Sequence, residues 1–361
     1  MDQKAASDPR KGRGAASNAS GRFEAEQRVV FDDGWGSADA VPPRLDTVYT
    51  RDSSRSIIAR NDSPDISFDR SINPYRGCEH GCIYCYARPS HAYLGLSPGL
   101  DFESRIFVKE NAPELLRAEL AKPNYACAVI ALGANTDPYQ PVERKLGLTR
   151  RILDVLSEHN HPVSIITKSA LVQRDIDILS AMAKRRLASV AVSLTTLDRG
   201  LARVMEPRAA TPERRLETMA ALAGAGIPVT AMTAPMIPAL NDMELERLLE
   251  AAHDNGARNA GYVLLRLPLE LVGLFEEWLA THMPGKAKHV MSLIKDARDG
   301  KAYRAEWGTR MKGTGPYAEM LRVRFDKACH RLGLNERREA FRLDTTLFRR
   351  PPKKGDQLAL F

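Results

Sequence analysis

The chain has 361 residues, 43% hydrophobic and 27% charged, a globular composition sufficient for one large domain with extensions. No stretch of about twenty apolar residues is present and the N-terminus MDQKAASDPRKGRGAASNASGRFE lacks an apolar signal core, so a cytoplasmic protein with no membrane span is expected. The net charge is +8, but Gly285–Phe361 carry 19 Lys/Arg against 9 Asp/Glu, whereas the rest of the chain has 34 basic and 36 acidic residues; this asymmetry fits a polyanion partner, DNA above all, or a solvated helical face.

Residues 1–45 are rich in Ala, Ser, Gly and charge without periodicity, which predicts a disordered extension. An approach segment, 46–70, holds short apolar patches at Ser56–Ala59 and Ile66–Phe68, suited to a strand or a lid. It leads into NPYRGCEHGCIYC, Asn73–Cys85, the stretch with the most chemistry. Beyond it, β-branched runs alternate with helical segments. Strands are expected at Ala126–Leu132, Val163–Thr167, Ala188–Thr195, Val229–Thr233 and Gly261–Leu267, and helices at Glu143–His159, Leu171–Arg185, Thr211–Ala225 and Met243–Asn255. Helix-length connections between buried strands imply parallel pairing. The fold class is therefore α/β: about six units forming a partial (β/α)6 TIM-type barrel over 71–282, with the cysteine loop after the first strand. Ser189, Ala191, Ser193 and Thr195 share one face of their strand, a small-residue face suited to the barrel interior. A basic helical extension follows over 283–345, including an amphipathic helix at Pro316–Leu332, and then a flexible tail, 346–361.

Cys78, Cys82 and Cys85 stand in C-x₃-C-x₂-C spacing, close enough to grip one compact metal centre. Structural zinc normally takes four protein ligands, so a zinc reading needs His80 or His91 as the fourth. A four-iron cluster on three cysteines keeps one iron open for a small molecule. Disulfides are disfavoured, because three cysteines leave one over and nothing indicates an oxidising compartment. With Tyr84 before the last cysteine, the motif resembles that of the radical S-adenosylmethionine (SAM) enzymes. The resemblance implies a [4Fe-4S] cluster that reduces SAM to methionine and a 5′-deoxyadenosyl radical. It also implies a partial barrel and a flavodoxin or ferredoxin-type electron donor.

Asn73-Pro74-Tyr75-Arg76-Gly77, Thr136-Asp137-Pro138-Tyr139-Gln140, Thr167-Lys168 and Glu206-Pro207-Arg208 with Arg215 are similar to the spore photoproduct lyase group. That likeness implies a lyase-like enzyme acting in DNA repair or base modification. It assigns Lys168 and Ser193 to the methionine and ribose ends of SAM, Tyr84 to the adenine, and Asn135 and Thr136 to the SAM amino group. Arg266, at the end of the sixth strand, is a candidate substrate contact. One departure stands out: the lyases carry a hydrogen-donating cysteine near the end of the second strand, where this chain reads Ala134-Asn135-Thr136-Asp137. Cys127 lies at the opposite end of that strand and, like Cys329, reads as a structural thiol. The terminal QLALF resembles the bacterial sliding-clamp pentapeptide, with Gln357, Leu358, Leu360 and Phe361 as clamp contacts. The alternatives are a radical SAM enzyme acting on a protein, RNA or small molecule, and a non-catalytic metal-binding module.

Overall fold

A computed structural model describes residues 10–26, 28, 45–336 and 341–352. Its main sheet has seven strands: β1 (Ile58–Arg60), β2 (Arg70–Ile72), β3 (Ile130–Leu132), β4 (Val163–Thr167), β5 (Ala188–Ser193), β6 (Val229–Met236) and β7 (Asn259–Leu264). Strands β2 to β7 are parallel and lie side by side in chain order, while β1 pairs antiparallel with β2 at one edge. The register sets Ile72, Leu132, Ile165, Val190 and Val229 in one row. All five are buried, and their apolar burial is what aligns the strand ends. The adjacent row, on the opposite face, is Ser71, Ala131, Ser164 and Ser189, small residues throughout.

Helices connect the strands as expected, with corrections at their ends. The predicted Glu143–His159 helix is two helices, Glu143–Leu146 and Leu148–Glu158, because Gly147 takes a left-handed conformation at φ +59°. The predicted Leu171–Arg185 helix opens as a 3₁₀ segment, Ala170–Asp175, and becomes α-helical at Ile176–Ala183. The last strand begins two residues earlier than predicted and ends at Leu264, whose N–H donates to the Met311 carbonyl at 2.8 Å instead of to another strand.

The two edges of the sheet, β1 and β7, do not pair with each other among the described residues. The loop after the helix Ala287–Asp296 runs between them: Arg310 pairs with Asp65 in the β1–β2 connection, and the Gly308 N–H donates to Asp65 Oδ1 at 2.7 Å. The long helix Gly315–Leu332 then packs Leu321, Phe325 and Ala328 inward, with Phe325 4.8 Å from the Tyr262 ring. Its arginines are paired with acids: Arg322 with Glu319 and Asp326, Arg324 with Glu246, and Arg331 with Glu250. This helix therefore presents less uncompensated charge than its composition suggests.

A second, small sheet sets Arg105–Val108 between Val48–Arg51 and Tyr75–Arg76. It holds the chain on either side of the cysteine loop. The N-terminal segment corrects the expectation of disorder where it is described. Residues 10–26 are laid down on this region, with Ala15 and Ala16 buried and the Leu100 N–H donating to the Ser17 carbonyl at 3.2 Å. Small residues that look like low complexity in the sequence are here a close-packed contact.

Residues 341–352 return to the amino ends of the strands. Arg349 N–H donates to the His159 carbonyl at 2.8 Å, Arg350 to the Pro123 carbonyl at 2.7 Å, and Phe348 packs edge-on against His161. His161 is fully buried between Tyr125 OH at 2.7 Å and the Pro162 carbonyl at 3.0 Å. Burial, with smaller contributions from Arg70 and His159, lowers its pKa from 6.5 to about 4 against the opposing pull of the Pro162 carbonyl. The unfolded chain thus takes up this proton first, so stability is complete above about pH 6.5 and declines as pH falls toward 4. Between pH 7 and pH 5 the loss is about 2 kcal/mol. Urea unfolding of His161→Phe should show a pH 7-to-5 difference smaller by that amount; an unchanged difference would remove His161 from the account.

Candidate metal centre and cofactor site

The cysteine loop leaves the carboxyl end of β2 and is shaped by side chains from distant parts of the chain. Asn73 Oδ1 accepts the N–H groups of Asn135 at 2.8 Å and Thr136 at 3.3 Å, tying the ends of β2 and β3 together. Gly77 sits at φ +79°, where a Cβ would approach the Phe102 carbonyl and the His91 ring within 3 Å. Cys78 N–H donates to the Phe102 carbonyl at 2.9 Å, and Cys85 N–H to the Cys82 carbonyl at 3.2 Å, so the three cysteines follow one another on tight turns.

Three acids fix this loop, Glu79 and Glu103 buried and Asp137 partly so. Glu79 accepts from the Val142 N–H at 2.8 Å and the Tyr49 hydroxyl at 3.1 Å, and pairs with Arg208 at 3.1 Å. Gln140 brackets the same turn, accepting from the Glu79 N–H at 2.9 Å and donating to the Gly77 carbonyl at 3.2 Å. Asp137 lies 3.3 Å from His80 Nδ1 and accepts from the Thr167 hydroxyl and the Lys168 N–H, each at 2.7 Å. Burial alone would raise the Asp137 carboxyl, but His80 and these donors outweigh it and bring it down to about 2. Glu103 pairs with Arg88, both completely buried. Arg88 gives its remaining N–H groups to the carbonyls of Gly81, Cys82, Pro98 and Gly99 at 2.9–3.1 Å.

The thiols themselves are set for a cationic centre. Burial, then the negative charges of Asp137 and the neighbouring cysteines, pushes the Cys78 thiol well up, and burial pushes Cys82 up despite nearby Lys168. Thiolates at Cys78 and Cys82 therefore need a compensating positive charge beside them. Among the described residues, no three Cys, His, Asp or Glu side chains converge on a position for a single metal ion. His80 Nδ1 faces Asp137 at 3.3 Å and His91 Nε2 lies 3.0 Å from the Arg105 carbonyl, while His91 Nδ1 is buried without a hydrogen-bond partner. Cys78, Cys82 and Cys85 are the side chains of this loop that could hold an iron–sulfur cluster through three thiolates. Cys127 is half-buried at the far end of the sheet and Cys329 is buried in the C-terminal helix, both remote from this loop in the fold.

At the strand ends, Tyr84 and Lys168 come together, with Lys168 Nζ 5.8 Å from the Tyr84 ring centroid. The Tyr84 hydroxyl is 3.2 Å from that of Thr195, which reaches Glu206 Oε1 at 2.9 Å. Glu206 pairs with buried Arg215, which donates to the Ser193 carbonyl at 3.1 Å. Tyr84, Lys168 and Ser193 thus belong to one connected neighbourhood. Asn135 is exposed, with its N–H used by Asn73, and the Thr136 hydroxyl is spent on the Tyr75 carbonyl at 2.9 Å. Arg266 lies elsewhere on the rim, 5.2 Å from the Tyr86 ring, and its Nε is buried without a hydrogen-bond partner. Gln357, Leu358, Leu360 and Phe361 lie outside the described residues. Sequence reasoning overlooked Thr195 as a link and Arg88, Glu103 and Glu79 as supports. Tyr86, one residue past the last cysteine, was visible in the pattern CIYCY.

The radical SAM superfamily model matches residues 72–252. An uncharacterized protein of Mycobacterium tuberculosis, Rv2578c, is 39% identical over 232 residues, covering 64% of this chain and 68% of the relative. An uncharacterized protein of Methanocaldococcus jannaschii, MJ0683, is 33% identical over 175 residues, 48% of this chain and 62% of the relative. Among solved structures, spore photoproduct lyase complexed with dinucleoside spore photoproduct matches in fold, with a TM-score of 0.58, 15% identity and 80% coverage of both chains.

Arg88→Met leaves the Glu103 carboxylate buried and unpaired. Chemical unfolding of the metal-free protein should show a loss of about 3–5 kcal/mol. A loss below about 1 kcal/mol, the range of an exposed pair, would mean that the pair does not organise the loop.

Proposed function

This chain belongs to the radical SAM superfamily, and from that premise we propose that it is an enzyme directed at DNA, in repair or base modification. A sliding clamp is the proposed recruiting partner and a flavodoxin or ferredoxin-type protein the electron donor, in a cytoplasmic setting. A [4Fe-4S] cluster and SAM are the cofactors of the family; together they supply a 5′-deoxyadenosyl radical able to take hydrogen from an unactivated carbon. We read the sequential parallel strands as a partial (β/α)6 barrel whose small-residue face lines the interior.

The observation that carries the reading is the coupling of the cysteine loop to the strand ends through Tyr84, Thr195, Glu206 and Arg215. Cys78, Cys82 and Cys85 hold the cluster in this proposal. Lys168 offers its ammonium to the methionine carboxylate, and Ser193 its hydroxyl to the ribose. Because the Tyr84 hydroxyl is engaged by Thr195, Tyr84 meets the adenine with its ring or backbone. Asn135 addresses the SAM amino group with its free side chain, whereas Thr136 acts by holding the turn. Arg266, with donor capacity left over, faces an anionic part of the substrate.

The excess positive charge of residues 285–361 and the fold shared with a lyase complexed with dinucleoside spore photoproduct support DNA. Strict thymine-dimer lyase activity is not proposed, since residues 134–137 carry no cysteine. The pairing of Arg322, Arg324 and Arg331 with acids favours the second reading, a protein, RNA or small-molecule substrate.

Anaerobic reconstitution should give about four iron and four sulfide per chain. Release of 5′-deoxyadenosine from SAM should then accelerate on adding damaged duplex DNA. Stoichiometric zinc without iron–sulfur absorption would end the enzyme reading, and cleavage indifferent to DNA would leave the second. For recruitment, removing Gln357–Phe361 should abolish binding of the protein to sliding clamp in a titration; unchanged affinity rejects that role.

A further inference from the structure

We propose that residues 10–17, outside the segment matched by the family model, complete the cluster site by forming an outer wall across the cysteine loop. The purpose of the wall rests on the cluster reading above, but its geometry does not. Gly14 and Ala15 donate their N–H groups to the two Glu103 oxygens at 2.9 and 2.8 Å. Glu103 is the partner of Arg88, and Arg88 holds the carbonyls of Gly81 and Cys82. A short polar chain therefore leads from the backbone of this strap to the backbone between two of the cysteines. Contact is also direct. A Cβ on Gly14 would stand 1.8 Å from the Gly81 carbonyl oxygen, so no other residue fits between strap and loop. Ala15 is buried in the same apolar cluster as Cys82, Ile83, Tyr84 and Leu100.

The strap is fastened at both ends. Arg13 donates to the Glu103 carbonyl at 2.7 Å, the Leu45 carbonyl at 2.7 Å and Thr47 at 3.1 Å. Past the contact, Ser17 donates to Glu277 at 2.7 Å, and Asn18 exchanges two hydrogen bonds with Asp101 at 2.9 and 3.0 Å. Glu103 is completely buried, and the strap supplies two of the donors that keep its carboxylate from being a desolvated, under-satisfied charge. Cys78 and Cys82 are each only 7% exposed with the strap in place, whereas Cys85 is half-buried. Lifting it uncovers the loop on the side away from the strand ends and strips Glu103 of those donors at the same time. Water and dissolved oxidants are thereby kept from Cys82 and from that side of the cluster the loop would hold.

The test uses the full chain, metal-free and reduced, at one fixed pH. Iodoacetamide labelling of Cys82 is followed by mass spectrometry relative to Cys329, which is buried in the C-terminal helix. Gly14→Val forces strap and loop apart, while Arg13→Gln loosens the strap without a clash. The Cys82-to-Cys329 rate ratio should rise about tenfold in the first variant and several-fold in the second, as expected for a local opening. After reconstitution, bleaching of the cluster absorption in air should quicken in the same order. An unchanged ratio in both variants overturns the proposal, including the case in which both cysteines accelerate together through general unfolding. A zinc-loaded or iron-free wild type would defeat the cluster reading while leaving the labelling ratio to decide the strap.

Discussion

The site depends on one buried ion pair. Arg88 and Glu103 have no exposed surface, and removing such a pair from water carries a penalty of several kcal/mol per ion. The penalty is met by completeness. All five guanidinium N–H groups have acceptors, and four of those acceptors are backbone carbonyls of residues 81, 82, 98 and 99. A chain segment of tight turns has few backbone hydrogen bonds of its own. Here a side chain that cannot lose its proton supplies them, and the loop acquires a fixed shape before any metal arrives.

The second layer of organisation links that loop to the sheet. Asp137 meets His80, the Thr167 hydroxyl and the Lys168 N–H, Glu79 meets Arg208, Tyr49 and the Val142 N–H, and Glu206 meets Arg215 and Thr195. Strand register, set by the apolar row from Ile72 to Val229, determines where those ends stand. Loop geometry is thereby inherited from core packing, and the chemistry sits on rigid elements where small displacements are resisted.

Local features of this arrangement were legible in the sequence and distant partners were not. The cysteine spacing, the alternation of strands and helices, and the small residues of β5 can be read within a few positions of one another. The break at Gly147 and the shift of β7 reflect backbone conformation and an edge bond to Met311 that periodicity does not encode. Glu103 looks like a surface acid beside Asp101, and nothing local announces that it will meet Arg88 and the N–H groups of Gly14 and Ala15. The strap was misread for a related reason. Gly and Ala signal disorder by composition, yet they are also the residues that permit backbones to touch, and only the partner surface distinguishes the two uses.

The returning segment 341–352 settles a matter of polarity. Arg349 and Arg350 are moored at His159 and Pro123, beside the amino ends of the parallel strands, whereas the cysteines follow a carboxyl end. Residues 341–352 are therefore moored at the pole opposite the cysteine loop. Anything resting on residues 341–352 would lie against the amino pole and leave the cysteine end unobstructed.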